Sequence, residues 1–506
     1  MAITGATNTV PSAVQQATAS NYLDLSGSGG WGQQYVPDLM EKEAEVFGNR
    51  TISGFLSQVG AEEAMTADQV IWSEQGRLHL SYTGKIATND GTGGSGPAGA
   101  DAGTGATTKV TIQKDIDGLV KGTDHGIRVN DTVIIANAAG VHKCLVVTAA
   151  ASTATIDVLP YGSANIADSN DNDSCTILVY GSEYGKGTKY MVGGTSTAEQ
   201  DSRGANEPSF KTFSNKPIIM KDYYEVSGSD ASRIGWIEIT SEQGASGYLW
   251  YLKAESDTRA RFTDYLEMSM LEAEKVTASS SLIDGSHILP GSVATENNSG
   301  TEGLFAAIEA RGNVSSGISG VNAATDLAEF DAMLAEFDKQ GAIEENMMFV
   351  NRASSLAIDD MLASMNSYGA GGTSYGVFEN DEDMALNLGF SGFRRGSYDF
   401  YKSDFRYLND HATRGSINAA NAANAIRGVV IPAGTSTVYD QSLGKNLKRP
   451  FLHVRYRASQ TDDRRMKTWT TGSVGAATSA LDAMQIHMLT ERCLVVQGAN
   501  NFLLMK

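Results

Sequence analysis

Three glycine-bearing stretches have spacings that could cradle a phosphate. Gly27-x-Gly29-x-x-Gly32 and Gly91-x-Gly93-x-x-Gly96 both fit the dinucleotide pattern. That chemistry needs a strand before the glycines and a helix after them, so that a pyrophosphate meets a helix N-terminus. Neither stretch leads into a helical pattern, and both read as chance matches in a chain with 54 glycines. Gly181-x-x-x-Gly185-Lys186-Gly187-Thr188 follows a strand and approximates a P-loop. It is one residue short between the glycines, and Gly187 stands where a hydroxyl should hold magnesium. It reads as a linker.

Oxygen-bearing residues alternate at Asp168, Asn170, Asn172 and Ser174, as in a calcium loop. The glycine and glutamate that such a loop requires are replaced by Asp173 and Val179, so a polar hairpin loop is the better reading. The histidines (His79, His125, His142, His287, His411, His453 and His487) include no pair at helical zinc spacing. No Gly-x-Ser-x-Gly nucleophile elbow occurs. Glu62 and Glu63, and the run Asp381 to Asp383, read as solvated carboxylates rather than acid/base pairs. Cys144, Cys175 and Cys493 form no Cys-x-x-Cys unit, which argues against zinc and disulfides and suits a reducing compartment. Two arginine doublets, Arg394-Arg395 and Arg464-Arg465, stand out in an acidic chain. They read either as salt bridges within the chain or as contacts between subunits. No catalytic, cofactor-binding or metal site is expected, and no enzyme activity.

Composition narrows the classes further. The net charge is −20, from 39 basic and 59 acidic residues. Such a chain repels phosphate at long range and lacks the basic footprint of a dedicated nucleic-acid binder. The charge serves either solubility or a surface that lies beside DNA without sticking to it. The first twenty residues have neither the basic nor the apolar region of a signal peptide, and no apolar run reaches bilayer length. A hydrophobic fraction of 41% supports packed domains, and 506 residues predict more than one.

The elements that would position these residues come in a distinctive order. Residues 1 to about 34 are polar and glycine-rich, and could not fold alone. Strand-like alternation follows around Val70, Trp72, Leu78, Leu80 and Tyr82. Residues 87–107 then form a glycine-rich tether. Beyond it, strands are predicted at 108–113, 132–137, 143–148, 153–159 and 176–180. Their even spacing suits a small self-contained barrel or sandwich. A second slack stretch covers 181–209, so the β unit reads as an insertion between two linkers. The segment 241–276 has helical periodicity through Tyr248, Leu249, Leu252, Phe262, Leu266, Met270 and Ala273. It predicts one helix about 50 Å long. A second helix is expected at 326–339, capped by Thr325 and ended by Gly341. Strands are expected at MMFVN, 398–402, 428–432, FLHVRYRA, RMKTWTT, AMQIHML and CLVVQGANNFLLMK. Thr490-Glu491-Arg492 reads as a break between the last two, and Gly498 to Asn501 as a turn.

This order of parts resembles the major capsid proteins of tailed bacteriophages, the Hong Kong ninety-seven type fold also found in the herpesvirus capsid floor. GWGQQYVPDLMEKEAEVFGNRTISGFL is similar to the arm that enters the extended loop in that family. FKTFSNKPIIMKDYYEVSGSDAS is similar to the returning limb of that loop, and IRVNDTVIIANAAGVHKCLVVTAAASTATIDVLPYG resembles an inserted β domain. Within the group the chain looks most like the capsid proteins of crAss-like phages. The resemblance implies an α+β fold divided into an N-terminal arm at 1–55, an outgoing E-loop limb at 56–107 and an inserted all-β domain at 108–180. A returning limb at 181–226, a peripheral domain with its spine helix at 227–276, an axial domain at 277–450 and returning peripheral strands at 451–506 complete it.

The same resemblance implies self-assembly into hexamers and pentamers of an icosahedral shell around double-stranded DNA, bound without sequence specificity. It implies scaffold, portal and auxiliary or head-fibre partners, no membrane, and assembly in the host bacterial cytoplasm. Some relatives cross-link through an E-loop lysine; Lys85 lies in that region but has no identifiable partner. A tail-associated or host-binding adhesin is the alternative. It should lack the long helix and show repeats, and none are found. A secreted polysaccharide enzyme would need a carboxylate pair and a signal peptide.

Overall fold

The structure is a computed structural model. It describes residues 54–59, 61–75, 79–87, 108–116, 118, 120–121, 125–149, 154–162, 166, 172–186, 210–229, 239–240, 246–247, 249–276, 300–341, 343–365, 391–440, 445–473 and 478–506. The expected N-terminal arm up to residue 53, the glycine tether from 88, both dinucleotide-like motifs, Asp381 to Asp383 and His287 lie outside these residues. The chain divides into two compact units, residues 73–212 and the remainder on either side of them.

The unit at 73–212 is a closed six-stranded barrel. Its strands are β3 (Ser81–Ala87), β4 (Thr108–Asp115), β5 (Asp131–Asn137), β6 (Gly140–Ala149), β7 (Thr155–Pro160) and β8 (Cys175–Ser182). They close in the order β3-β4-β7-β6-β5-β8. All pairings are antiparallel. Alternate residues point inward, because successive side chains of a strand face opposite sides. Ile86, Val110, Ile112, Val133, Ile135, Cys144, Val146, Ile156, Val158 and Ile177 fill the interior. The expected five strands are all present. A sixth, β3, precedes the glycine run and pairs with β4. Residues 88–107 therefore link two neighbouring barrel strands, and the β unit begins earlier than expected. Gly84 sits at an irregularity in the β3–β4 register. A Cβ there would lie 2.2 Å from the Thr111 carbonyl oxygen, so a side chain is excluded.

The other unit is built from both flanks. Before the barrel lie helix α1 (Phe55–Val59) and strands β1 (Ala61–Met65) and β2 (Val70–Gln75). After it come β9 (Phe210–Asn215), β10 (Ile218–Ser227), the short pair β11 (Ile239–Thr240) and β12 (Ser246–Gly247), and helix α2 (Leu249–Glu272). β2 and β9 form a two-stranded ribbon, of which residues 73–75 and 210–212 fall in the barrel's unit and the rest in this one. Helix α2 has 24 residues, about 36 Å at 1.5 Å per residue. It is shorter than the sequence reading. The β11–β12 pair, with Gly247 in it, uses residues assigned to its first turns, and glycine is a poor helix former. Phe262, Leu266 and Met270, four residues apart, form its buried stripe.

The remaining elements are helix α3 (Leu304–Arg311), β13 (Asn313–Ser315), α4 (Ala323–Gln340), β14 (Glu345–Val350), α5 (Arg352–Met365), β15 (Ser391–Arg395) and β16 (Tyr398–Asp404). Then follow α6 (Arg406–Asn409), α7 (Arg414–Ala420), β17 (Gly428–Pro432) and the hairpin β18 (Thr435–Asp440) and β19 (Lys445–Pro450). The chain ends with β20 (Leu452–Arg457), β21 (Lys467–Gly472), β22 (Ala483–Val496) and β23 (Leu503–Met505). Helix α4 begins earlier than expected. Its cap is Asn322, whose side chain accepts a hydrogen bond from the Thr325 backbone N–H, rather than Thr325 itself. Gly341 closes the helix with the left-handed conformation expected of it, φ 64°.

Two sheets share this unit. A five-stranded sheet runs β1-β20-β22-β10, with β21 also paired to β22. A six-stranded sheet runs β13-β23-β17-β14-β16-β15. Met348, Val350, Val430, Leu503 and Met505 face one core cluster with Phe330 and Phe337 of α4 and Ile358 and Met361 of α5. Their neighbours Phe349, Val429, Ile431 and Leu504 face the opposite cluster. That second cluster also holds Leu266 and Met270 of α2, Leu304 and Ile308 of α3, Leu452 of β20 and Leu494 of β22. Each fully buried Phe or Leu in these layers contributes about 1.5–3 kcal/mol.

Three strands lie outside their expected parts. β1 and β10, read as loop limbs, belong to the five-stranded sheet, and β23 leaves that sheet for the six-stranded one. The alternating burial of β10 is the physical reason: one of its faces packs and the other is exposed.

Candidate functional site

Few of the residues singled out for chemistry come together. Gly181 ends up on β8, and the residues after it as far as Lys186 form no helix. Gly187 and Thr188 lie outside the described residues, as do Asp168 and Asn170. Asp173 is engaged by protein donors: Lys114 Nζ lies 2.5 Å and Thr83 Oγ1 3.2 Å from its carboxylate. The Lys114 hydrogen bond holds this carboxyl below its ordinary range. Asn172 accepts from Gln113 at 2.7 Å. These bonds pin a loop to the barrel. Among the described residues no three His, Cys, Asp or Glu side chains converge on a possible metal position. The three thiols are free and buried. Burial pushes Cys144 and Cys493 up to about 12 and Cys175 to about 11.

The carboxylates and arginines instead build a polar seam along β1, β20 and β22. Strand alternation sends Glu62 and Glu63 to opposite faces. Glu63 pairs with Arg455 at 2.7 Å, directly across the β1–β20 register. Glu62 pairs with Arg492 at 3.1 Å and also with Arg465. Arg464 meets Glu491 at 2.7 Å, and Arg457 bridges Glu491 and Asp68. The segment Thr490-Glu491-Arg492 is thus no break. β22 runs through it as one strand of 14 residues, and all three residues are buried. Burial lowers the Arg492 guanidinium's affinity for its proton, and the Glu62 carboxylate opposes this. Arg394 and Arg395 are likewise paired within the chain, Arg395 with both oxygens of Asp331 at 2.6 and 2.7 Å.

Beside the seam, buried Glu267 of α2 accepts hydrogen bonds from the backbone N–H groups of Gly54 and Leu56, each 3.2 Å away. Burial pushes the pKa of this carboxyl up, and those two N–H groups pull it part of the way back down. Phe55 stacks on Phe405 and meets Phe349 edge-on, both at 4.7 Å between ring centres. Each carboxylate here has a guanidinium or amide partner. Such an arrangement fixes backbone rather than moving protons. Residues 54–68 are therefore anchored to elements far along the chain.

The same sheet carries an aromatic ladder. Tyr223, His487 and Trp469 stand directly opposite one another across β10, β22 and β21. The His487 ring stacks 5.2 Å from Trp469 and 6.0 Å from Tyr223. Thr471 Oγ1 lies 2.7 Å from His487 Nε2. Tyr223 and Ile219 are more than half exposed, so this face presents apolar surface to solvent. Sequence reading passed over the ladder and Glu267. Alternation flagged each strand, but no local signal gives the register that brings the three rings together.

No family model and no curated protein matches the sequence. Among solved structures, the chain is similar to one described as Microbacterium phage Oxtober96, with 9% identity and a TM-score of 0.37 over 96% of this chain and 99% of that one. A second, Mycobacterium phage Ogopogo, has 9% identity and a TM-score of 0.38 over 96% and 98%. A third, the asymmetric unit of bacteriophage PhiM1 mature capsid, has 10% identity and a TM-score of 0.29 over 62% and 79%. Likenesses this loose do not decide a function.

Proposed function

We propose that the chain is a structural subunit of a phage head, a major capsid protein that self-assembles into hexamers and pentamers of an icosahedral shell around double-stranded DNA. The observation that carries this reading is how the unit outside the barrel is built. Strands from both flanks, β1 before the barrel and β10, β20 and β22 after it, form one sheet that shares a core with helix α2. A separate β unit is inserted between Trp72 and Phe213. That is the order of parts on which the sequence resembles tailed-phage capsid proteins. On this reading α2 is the spine helix, the five-stranded sheet is the peripheral layer, the six-stranded sheet is the axial layer and the barrel is the insertion domain.

Assembly would rest on ordinary physics. Apolar surface exposed on one subunit, such as Ile219 and Tyr223, is buried against the next. Near-equivalent head-to-tail contacts close into rings. The net charge of −20 limits adhesion of the inner wall to packaged DNA. Scaffold, portal and auxiliary partners follow from the same reading. Sedimentation velocity across a hundredfold concentration range tests it. Fast-sedimenting species that grow with concentration support self-assembly; a single monomer boundary throughout overturns it.

A further inference from the structure

The paired strands β2 and β9 are held, at Trp72 and at Phe213 to Asn215, by two unlike devices within the unit outside the barrel. One is a saturated amide. Asn215 is 1% exposed and uses both ends of its side chain. Its Nδ2 donates to the Leu494 and Glu302 carbonyls at 2.6 and 3.0 Å. Its Oδ1 accepts from the N–H of Lys216 and of Glu302, each at 2.9 Å, and from Thr301 Oγ1 at 3.1 Å. Removing that side chain would orphan several buried groups at once.

The other device is a stacked cation. Arg311, in the last turn of α3, lies with its guanidinium carbon 4.5 Å from the Phe213 ring centre and 5.6 Å from that of Trp72. Trp72 and Phe213 themselves are 6.2 Å apart. The guanidinium is tethered to Glu302 at 2.7 Å, yet its buried Nε and Nη1 have no hydrogen-bond acceptor among the described residues. The guanidinium as a whole lies over the two aromatic rings. Glu302 ties the devices together: its backbone is held by Asn215 and its carboxylate by Arg311.

We infer that Asn215 and Arg311 form a two-part lock on the ribbon, in which Asn215 is the fixed anchor and the Arg311 stack is the releasable catch. The Arg311 catch is less complete than the Asn215 anchor, since two of its guanidinium nitrogens lack acceptors among the described residues while the amide is saturated. The ribbon then opens as its own local step, at lower free energy than the core strands behind it. A planar guanidinium is required, because a lysine ammonium cannot span both rings while keeping Glu302.

Hydrogen exchange read by mass spectrometry on the full chain tests this. Arg311→Ala is expected to speed exchange in β2 and β9 about tenfold while leaving β17 and β22 at the wild-type rate. Arg311→Lys should behave nearly like the alanine variant. Asn215→Ala should raise exchange in β22 as well as in the ribbon. Should Arg311→Ala fail to fold, Glu302→Gln retains the shape and should give a smaller rise confined to β2 and β9. Unchanged ribbon exchange in the folded variants, or an equal rise in β17 and β22, overturns the lock.

Discussion

The barrel and the unit around it solve the same problem in opposite ways. The barrel's core comes from one stretch of chain, in short strands that pair mostly with near neighbours. The other unit joins residues far apart along the chain, as when Glu62 meets Arg492. One core is almost wholly apolar and closed on itself. The other places a line of carboxylate–guanidinium pairs where its distant segments meet. A locally closed core needs only alternation and tight turns. A core assembled from both flanks also needs register, and directional charge pairs supply it.

If the two units are separate cooperative structures, each can be broken alone. Phe502→Ala removes a fully buried ring from the core between the sheets and should cost about 3–5 kcal/mol. In a denaturant titration with pulsed thiol labelling, Cys493 should then react early while Cys144 and Cys175 keep their wild-type midpoint. Gly84→Ala should do the reverse. A Cβ driven against the Thr111 carbonyl destabilises the barrel by about 1–3 kcal/mol or more, exposing Cys144 and Cys175 and sparing Cys493. Simultaneous loss of protection at all three thiols in either variant would merge the two units into one.

The seam gives a smaller effect. Glu62→Gln leaves Arg492 buried with a weakened partner, and should cost about 1–3 kcal/mol in the Cys493 transition only. The smallest effect is in pH. Each thiol ordinarily ionises near 9 and is held protonated by burial to about 11 or 12. Unfolding releases those protons above pH 9, so the stabilisation is full below 9 and is lost as pH rises toward 12. The barrel's midpoint, with two thiols, should fall more between pH 8 and 10 in wild type than in a Cys144→Ala, Cys175→Ala variant. Equal falls would remove the thiols from the account.

Much of the barrel was legible because its signals are local. Alternation in TVIIAN and TATIDVL gives both the strand and its buried face. β3 was missed as a barrel strand because a glycine-rich run separates it from its partner, and no local signal spans that gap. In the other unit, the long helix, the α4 stripe and the Gly341 stop were legible from period and capping residues. The polar seam was not. Thr490-Glu491-Arg492 has the composition of a break, and only partners such as Glu62 and Arg464 make it the middle of a buried strand. Polar residues inside a strand look like solvent-facing ones until their counter-charges are known.

In the proposed role the chain builds closed shells with copies of itself. Electron microscopy of the purified protein, concentrated and exchanged into assembly buffers, tests it most directly. Rings of five and six copies, sheets or closed shells are the expected result. A field of uniform monomers or trimers under every condition would contradict it.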